Sequence, residues 1–169
     1  MIDSVLLLAF LTLQRLAELA WAARNTSHLL AVGGVELGRR HYPLMVALHG
    51  TWLVGLWVHG YDRPVDPIYL TAFILLQLGR LCVLASLGKR WTTRIVVVPG
   101  GALVETGIYR LLRHPNYVIV SGEIVVVPLA LGLPVFAVLF FVLNGVVLAI
   151  RIPAENAALA WSVGRSATE

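Results

Sequence analysis

The chain has 169 residues, of which 59% are hydrophobic and only 13% charged, with a mean hydropathy of +0.83. A soluble domain carries about 45–50% apolar and about 25% charged residues, so a soluble globular fold is excluded and one compact membrane bundle is expected. The lone Cys82 excludes an internal disulfide and a cysteine metal cluster, and the net charge of +4 reads as loop charge on a membrane protein rather than a nucleic-acid surface.

A spanning helix needs about 20 mostly apolar residues. Five segments qualify in chain order: Ile2 to Trp21, Pro43 to His59, Pro67 to Leu87, Asn116 to Leu133 and Pro134 to Ile152. The first starts with Asp3 rather than a basic stretch and lacks a small-residue cleavage site, so it is expected to stay in the protein. Gly33, Gly34 and Gly38 punctuate the first loop, and Asp66-Pro67 reads as a helix start. Residues Ile95 to Val104 read as a small local hairpin around Pro99-Gly100-Gly101. Gly132-Leu133-Pro134 is long enough only for a tight helical turn. The expected fold is therefore all-α and integral to the membrane, with five transmembrane helices, a C-terminal helical hairpin and a cytosolic cofactor-binding loop. It forms one domain over 1–169, with three spans in 1–88 and the loop, hairpin and C-terminal segment in 89–169.

Lys and Arg collect in cytosolic loops. Arg24, Arg39 and Arg40 fall in the first loop, and Lys89, Arg90, Arg94, Arg110 and Arg113 in the third; the second holds Arg63 and the hairpin turn none. The N-terminus is therefore expected outside, and the basic loops and C-terminus in the cytosol.

Charges within a bilayer cost several kcal/mol and mark either internal pairs or sites. Arg15 and Glu18 share a face of the first helix, where they form an internal pair or part of a polar path, and Arg80 is placed to join them. His49 reads as a packed, hydrogen-bonded histidine and His59 as interfacial. Glu123 needs a partner, either an arginine from a neighbouring helix or a bound cofactor. Arg151 and Glu155 share a helical face with Pro153 between them, which is expected to bend or restart the helix. The richest cluster is Arg113-His114-Pro115-Asn116-Tyr117, a basic, aromatic loop at the lip of an apolar helix. It suits capture of a charged soluble molecule beside a lipid. The five histidines have no ligand-like spacing, so no metal is expected.

The ordered set Gly107-x-Tyr109-Arg110-x-x-Arg113-His114-Pro115-x-Tyr117, an apolar hairpin, and Arg151-x-x-x-Glu155-x-x-x-Leu159 resembles the isoprenylcysteine carboxyl methyltransferase family. These are integral-membrane enzymes that use S-adenosylmethionine. The resemblance covers the chain from about Trp91 to Leu159. Further pieces resemble a short bacterial branch that O-methylates alkylpyrones or phenolic lipids made by type III polyketide synthases: Gln14-Arg15-Leu16-Ala17-Glu18-Leu19, Arg24-Asn25, His41-Tyr42-Pro43-x-Met45-x-x-x-His49 and Trp91-x-Thr93-x-Ile95. The resemblance implies cofactor contacts at His114, Pro115 and Tyr117, with Tyr109 nearby. It implies that Glu155 meets cofactor or substrate and that Arg151 stands near the methyl acceptor. Asn156 occupies the place of the family's usual second glutamate, and Ile108 that of a frequent proline.

The candidate site is then Arg151 and Glu155 as catalytic residues, with Tyr109, His114, Pro115, Tyr117, Glu123 and Glu155 toward S-adenosylmethionine. Methyl transfer from a sulfonium needs alignment and exclusion of water but no metal. The implied partners are the bilayer and a lipophilic acceptor, with a functional link to a type III polyketide synthase, and the implied location is a bacterial cytoplasmic membrane. The competing readings are carboxyl methylation of a prenylated substrate and a small transporter or assembly subunit whose path is lined by Arg15, Glu18, Arg80 and Glu123.

Overall fold

Why the helices begin where they do is written in the local sequence. Asp66 caps the third helix, its side chain accepting from the backbone N–H of Ile68 and Tyr69 at 2.8 and 3.3 Å, and Pro67 takes the first helical position, where its missing N–H costs nothing. The same proline start opens the last two helices at Pro115 and Pro134. In a computed structural model, which describes residues 2–166 and the side chains of residues 2–164, the chain folds into α1 (Ile2–Ala31), α2 (Tyr42–Gly60), α3 (Pro67–Leu87), α4 (Pro115–Ala130) and α5 (Pro134–Ser166), with strands β1 (Val35–Leu37) and β2 (Ile95–Val97). The outermost residues of the single domain expected over 1–169 lie outside that description.

Among the described residues, three helical stretches are long and apolar enough to cross a membrane: Ile2–Ala31, Pro67–Arg90 and Pro134–Gly164. Pro115–Ala130 is a shorter apolar helix. The bundle turns apolar side chains outward, Leu6, Leu13, Val54, Leu75, Val135 and Val138 among them. A water-facing surface seldom shows so continuous an apolar face, whereas hydrocarbon is its natural solvent. Inside, Leu8, Leu11, Trp52, Leu56, Ile124, Val127 and Leu131 form one core joining α1, α2 and α4 with the α4–α5 turn.

Three local expectations are corrected. First, α1 runs on to Ala31 rather than stopping near Trp21, and α5 continues through Pro153 to Ser166 rather than ending near Ile152. Hydropathy reports how much helix lies in lipid, and both helices extend past it into a polar layer. Second, Ile95 to Val104 forms no local hairpin. The turn is there, with Gly101 N–H donating to Val98 O at 3.0 Å, but β2 pairs antiparallel with β1, Leu37 opposite Ile95 and Val35 opposite Val97. Third, Glu123 is taken up by the protein itself. One carboxylate oxygen accepts from Gln77 at 2.8 Å and Arg80 Nε at 3.0 Å, the other from Arg15 and Arg80. Arg15 and Arg80 also hold Glu18. The four charges cancel between α1, α3 and α4. His49 is packed as read, its Nδ1 2.8 Å from the Met45 carbonyl.

Candidate active site

Proline fixes its own φ near about −65° and drives the residue before it out of the helical region. Accordingly α4 begins at Pro115, and His114 stands before it at φ −132°, ψ 62°. That frees the imidazole to turn toward α5. His114 Nε2 lies 3.0 Å from Asn156 Oδ1, and its Nδ1 is 3.9 Å from Glu155 Oε1. The ring leans on Tyr117 with centroids 5.5 Å apart.

Arg151 and Glu155, four apart on α5, bracket Tyr117. The Tyr117 hydroxyl donates to Glu155 and accepts from Arg151 Nε at 3.0 Å. Arg151 Nη2 donates to the Thr93 carbonyl at 2.6 Å. The guanidinium is buried, with 5% of the residue exposed, so both contacts act at low dielectric, where charge-assisted hydrogen bonds are strong. The segment carrying Thr93 is itself clamped. The Thr93 hydroxyl lies 3.1 Å from that of Tyr42, and Arg94 stacks 4.9 Å over the Tyr42 ring while donating to Glu36 at 3.2 Å. Thus the β1–α2 corner fixes the chain that fixes Arg151.

These residues face a cavity of about 1230 Å³. It is walled by the ends of α1 and α5, by β2 and the loop after it, and by the Tyr109 to Tyr117 segment. Small-molecule sites usually span about 300–1,000 Å³, so there is room for a nucleoside-sized cofactor together with an acceptor head group. Tyr109, His114, Tyr117, Arg151 and Glu155 line the cavity; Pro115 and Glu123 do not. Pro115 is buried and acts by starting the helix. Burial, reinforced by the Glu155 charge, pushes the Tyr109 hydroxyl well above its ordinary range, so it stays a neutral donor.

The lining fits S-adenosylmethionine chemically. Asn116 Oδ1 is buried without a partner and belongs to a cavity-lining residue. With the partly exposed Glu155 carboxylate it supplies acceptors for an ammonium or ribose hydroxyls, while Val97, Leu159 and Ala160 supply apolar wall. No metal-holding group of His, Cys, Asp or Glu occurs among the described residues. Two further residues carry little signal in the sequence: Asn116 is one polar side chain inside a richer motif, and Thr93 acts through its backbone carbonyl, which no side chain announces.

The pattern of the isoprenylcysteine carboxyl methyltransferase (ICMT) family matches residues 68–161, and the chain belongs to that family of membrane methyltransferases, whose members use S-adenosylmethionine. A Bacillus subtilis (strain 168) protein, the uncharacterised YpbQ, is 38% identical over 159 residues, covering 91% of this chain and 95% of that one. An uncharacterised Haemophilus influenzae (strain ATCC 51907 / DSM 11121 / KW20 / Rd) protein is 22% identical over 156 residues, covering 86% and 88%. No solved structure matches.

Proposed function

We propose that the chain binds S-adenosylmethionine on the cytosolic side of the membrane and transfers its methyl group to an oxygen of a lipidic acceptor. Arg151 is the observation that carries this reading. Two of its three guanidinium nitrogens are held by Tyr117 and the Thr93 carbonyl, which leaves Nη1 to meet the acceptor at the cavity wall. A phenol or pyrone hydroxyl ionises readily beside such a cation, and a buried arginine stays charged at any working pH. The acceptor class favoured by the sequence is an alkylpyrone or phenolic lipid, delivered from a type III polyketide synthase and entering from the bilayer.

In this reading His114, Asn116, Tyr117 and Glu155 hold the cofactor, Tyr109 closes the wall behind it, and α1 to α5 span the membrane with the N-terminus outside. The cofactor supplies an electrophilic methyl group; the protein aligns it, excludes water and stabilises the acceptor oxygen. The transporter reading loses its motive, because Arg15, Glu18, Arg80 and Glu123 satisfy one another. The test has two arms. Titration calorimetry on detergent-solubilised protein should show S-adenosylmethionine binding, which a transporter would lack. Mass spectrometry of lipid extracts, with and without the enzyme, should show a methyl-sized gain on a hydroxylated lipid. A gain on a prenylated carboxylate alone would replace the acceptor class proposed here.

A further inference from the structure

The chemistry described so far leaves one part of the cavity wall unused, the tip Arg110-Leu111-Leu112-Arg113. Just before it, Ile108 and Tyr109 pack onto the cluster of Val83, Leu84, Leu87 and Trp91 at the end of α3. Gly107 permits that close approach: it adopts φ +59°, and a Cβ there would stand 2.3 Å from Ser86 Oγ. The two leucines then turn away from the core. Their N–H groups both donate to the Ile108 carbonyl at 3.1 Å, so the backbone of the tip is held, yet Leu111 is 82% exposed and Leu112 44%. Lys89, Arg110 and Arg113 are exposed as well, and their side chains make no hydrogen bond or ion pair among the described residues. The neighbouring elements set the depth of the tip. Lys89 and Arg90 end the apolar stretch Pro67–Arg90, and the turn Gly107–Arg110 packs on that same helix. The apolar α4 starts just beyond, at Pro115, with Val118 exposed. The tip therefore lies level with the ends of two apolar helices, where hydrocarbon gives way to head groups. Cytosolic loop charge accounts for the basic residues alone; it leaves unexplained two leucines held out of the core between them. Cations with apolar side chains beside them are what seats a protein surface in an anionic lipid interface.

We propose that this tip, together with Lys89, is a docking surface for anionic phospholipid. Leu111 and Leu112 enter the acyl boundary, while Lys89, Arg110 and Arg113 meet the phosphates, each cation contributing about fivefold to the binding. Other charges at the cavity are already committed. Arg90 is held by the Ala102 carbonyl and Arg94 by Glu36, and Glu155 is bound to Tyr117. Glu105 is then the one uncommitted carboxylate in the lining, set against three uncommitted cations, so the lip favours an anionic head group over a zwitterionic one. Because the tip is also cavity wall, docking holds the mouth of the cavity against the bilayer. On the methyltransferase reading above, a lipidic acceptor then passes from leaflet to cavity without its tail crossing water.

Spin labelling tests the docking without any turnover, so a failure here is distinguishable from a failure of the methyltransferase reading. The full chain carries Cys82→Ser, since Cys82 is exposed, and a nitroxide at Leu111→Cys or, as a water-facing control, at Glu105→Cys. It is placed in nanodiscs of phosphatidylcholine alone or mixed with phosphatidylglycerol. Collisions with oxygen report lipid, and collisions with a water-soluble nickel chelate report water. The label at 111 should favour oxygen in the mixed discs and move toward nickel in phosphatidylcholine alone, while the label at 105 favours nickel in both. Lys89→Gln combined with Arg110→Gln should bring the mixed-disc value to that of phosphatidylcholine. High salt should do the same by screening the cations, which keeps the test open if the double variant does not fold. A label at 111 that is as open to nickel as that at 105, or equally immersed in both discs, would overturn the proposal. Shielding from both reagents would show that protein covers the tip, a second copy of the chain included, and would overturn it too. Inorganic phosphate added to phosphatidylcholine discs should leave the label unmoved; a shift equal to that with phosphatidylglycerol would make the occupant free phosphate and not the membrane.

Discussion

Arg151 is gripped by Tyr117 on one side and the Thr93 carbonyl on the other, and the value of that grip can be measured. If Nη1 stabilises the acceptor oxyanion, Arg151→Ala should cost about 2–4 kcal/mol of transition-state stabilisation, tens to about a thousandfold in turnover. Cofactor affinity should change far less. Arg151→Lys should recover only part, because an ammonium cannot hold Tyr117 and Thr93 while reaching a third group in one plane. Parallel loss of cofactor binding and turnover in the alanine variant would place Arg151 in the cofactor pocket or the fold. His114→Ala should act oppositely, weakening cofactor binding in calorimetry because the Asn156 side chain and the Tyr117 ring lose the group that sets them. Unchanged affinity on folded protein would remove His114 from the site. At this scale the sequence was legible where side chains recur at a fixed spacing, and the structure brings His114, Tyr117, Arg151 and Glu155 into one contact group. It was silent where a backbone carbonyl does the placing, as at Thr93.

Helix α4 does two jobs, and its two halves separate them. Its first turn carries Tyr117 to the cavity, and Glu123 farther along binds the helix to α1 and α3 through Arg15 and Arg80. Glu123 is 1% exposed and Arg80 2%, so neither can shed its charge to water when the other is removed. Breaking a buried pair costs about 3–5 kcal/mol, mostly from the stranded charge, whereas replacing both members with apolar residues costs much less. Arg80→Leu or Glu123→Leu alone should therefore lower the Tm of the solubilised protein strongly, and the double variant should regain much of the loss, since Arg15 and Glu18 remain a neutral pair. A double variant no better than the singles would show that the cluster holds the helices by shape rather than charge balance. Both fates of Glu123 were open in the sequence, because spacing along one helix says nothing of which cations neighbouring helices bring. The same limit explains β2. Its turn residues were legible, but its partner β1 comes from the far side of two helices, and only the closed bundle brings Leu37 opposite Ile95. Helix starts at Asp66-Pro67 and Pro134 were legible because capping is local.

For the whole molecule the question is which end faces the cytosol, since the cofactor must come from there. The cavity lies where α1 and α5 run past their apolar stretches, beside the β1–β2 pair and the Tyr109 to Tyr117 segment. Lys89, Arg90, Arg94, Arg110 and Arg113 all line it, whereas the α2–α3 turn at the other end carries Arg63 and two aspartates, Asp62 and Asp66. Membrane insertion retains Lys and Arg on the cytosolic side and is little affected by Asp or Glu, so the cavity should face inward and Arg63 outward. Cysteine accessibility checks this directly. Cys82 is exposed on α3 and must first be replaced by serine. Arg63→Cys and Glu105→Cys are then compared in intact cells, Glu105 being chosen over Gly100 because Gly100 adopts φ +73°, which a cysteine would strain. A membrane-impermeant maleimide should label position 63 in intact cells and position 105 only after permeabilisation. Labelling of both from the same side would mean that α3 does not cross between them and would sink the five-span topology. Labelling of position 105 alone from outside would put the cavity beyond reach of cytosolic S-adenosylmethionine, and the proposed reaction could not be supplied.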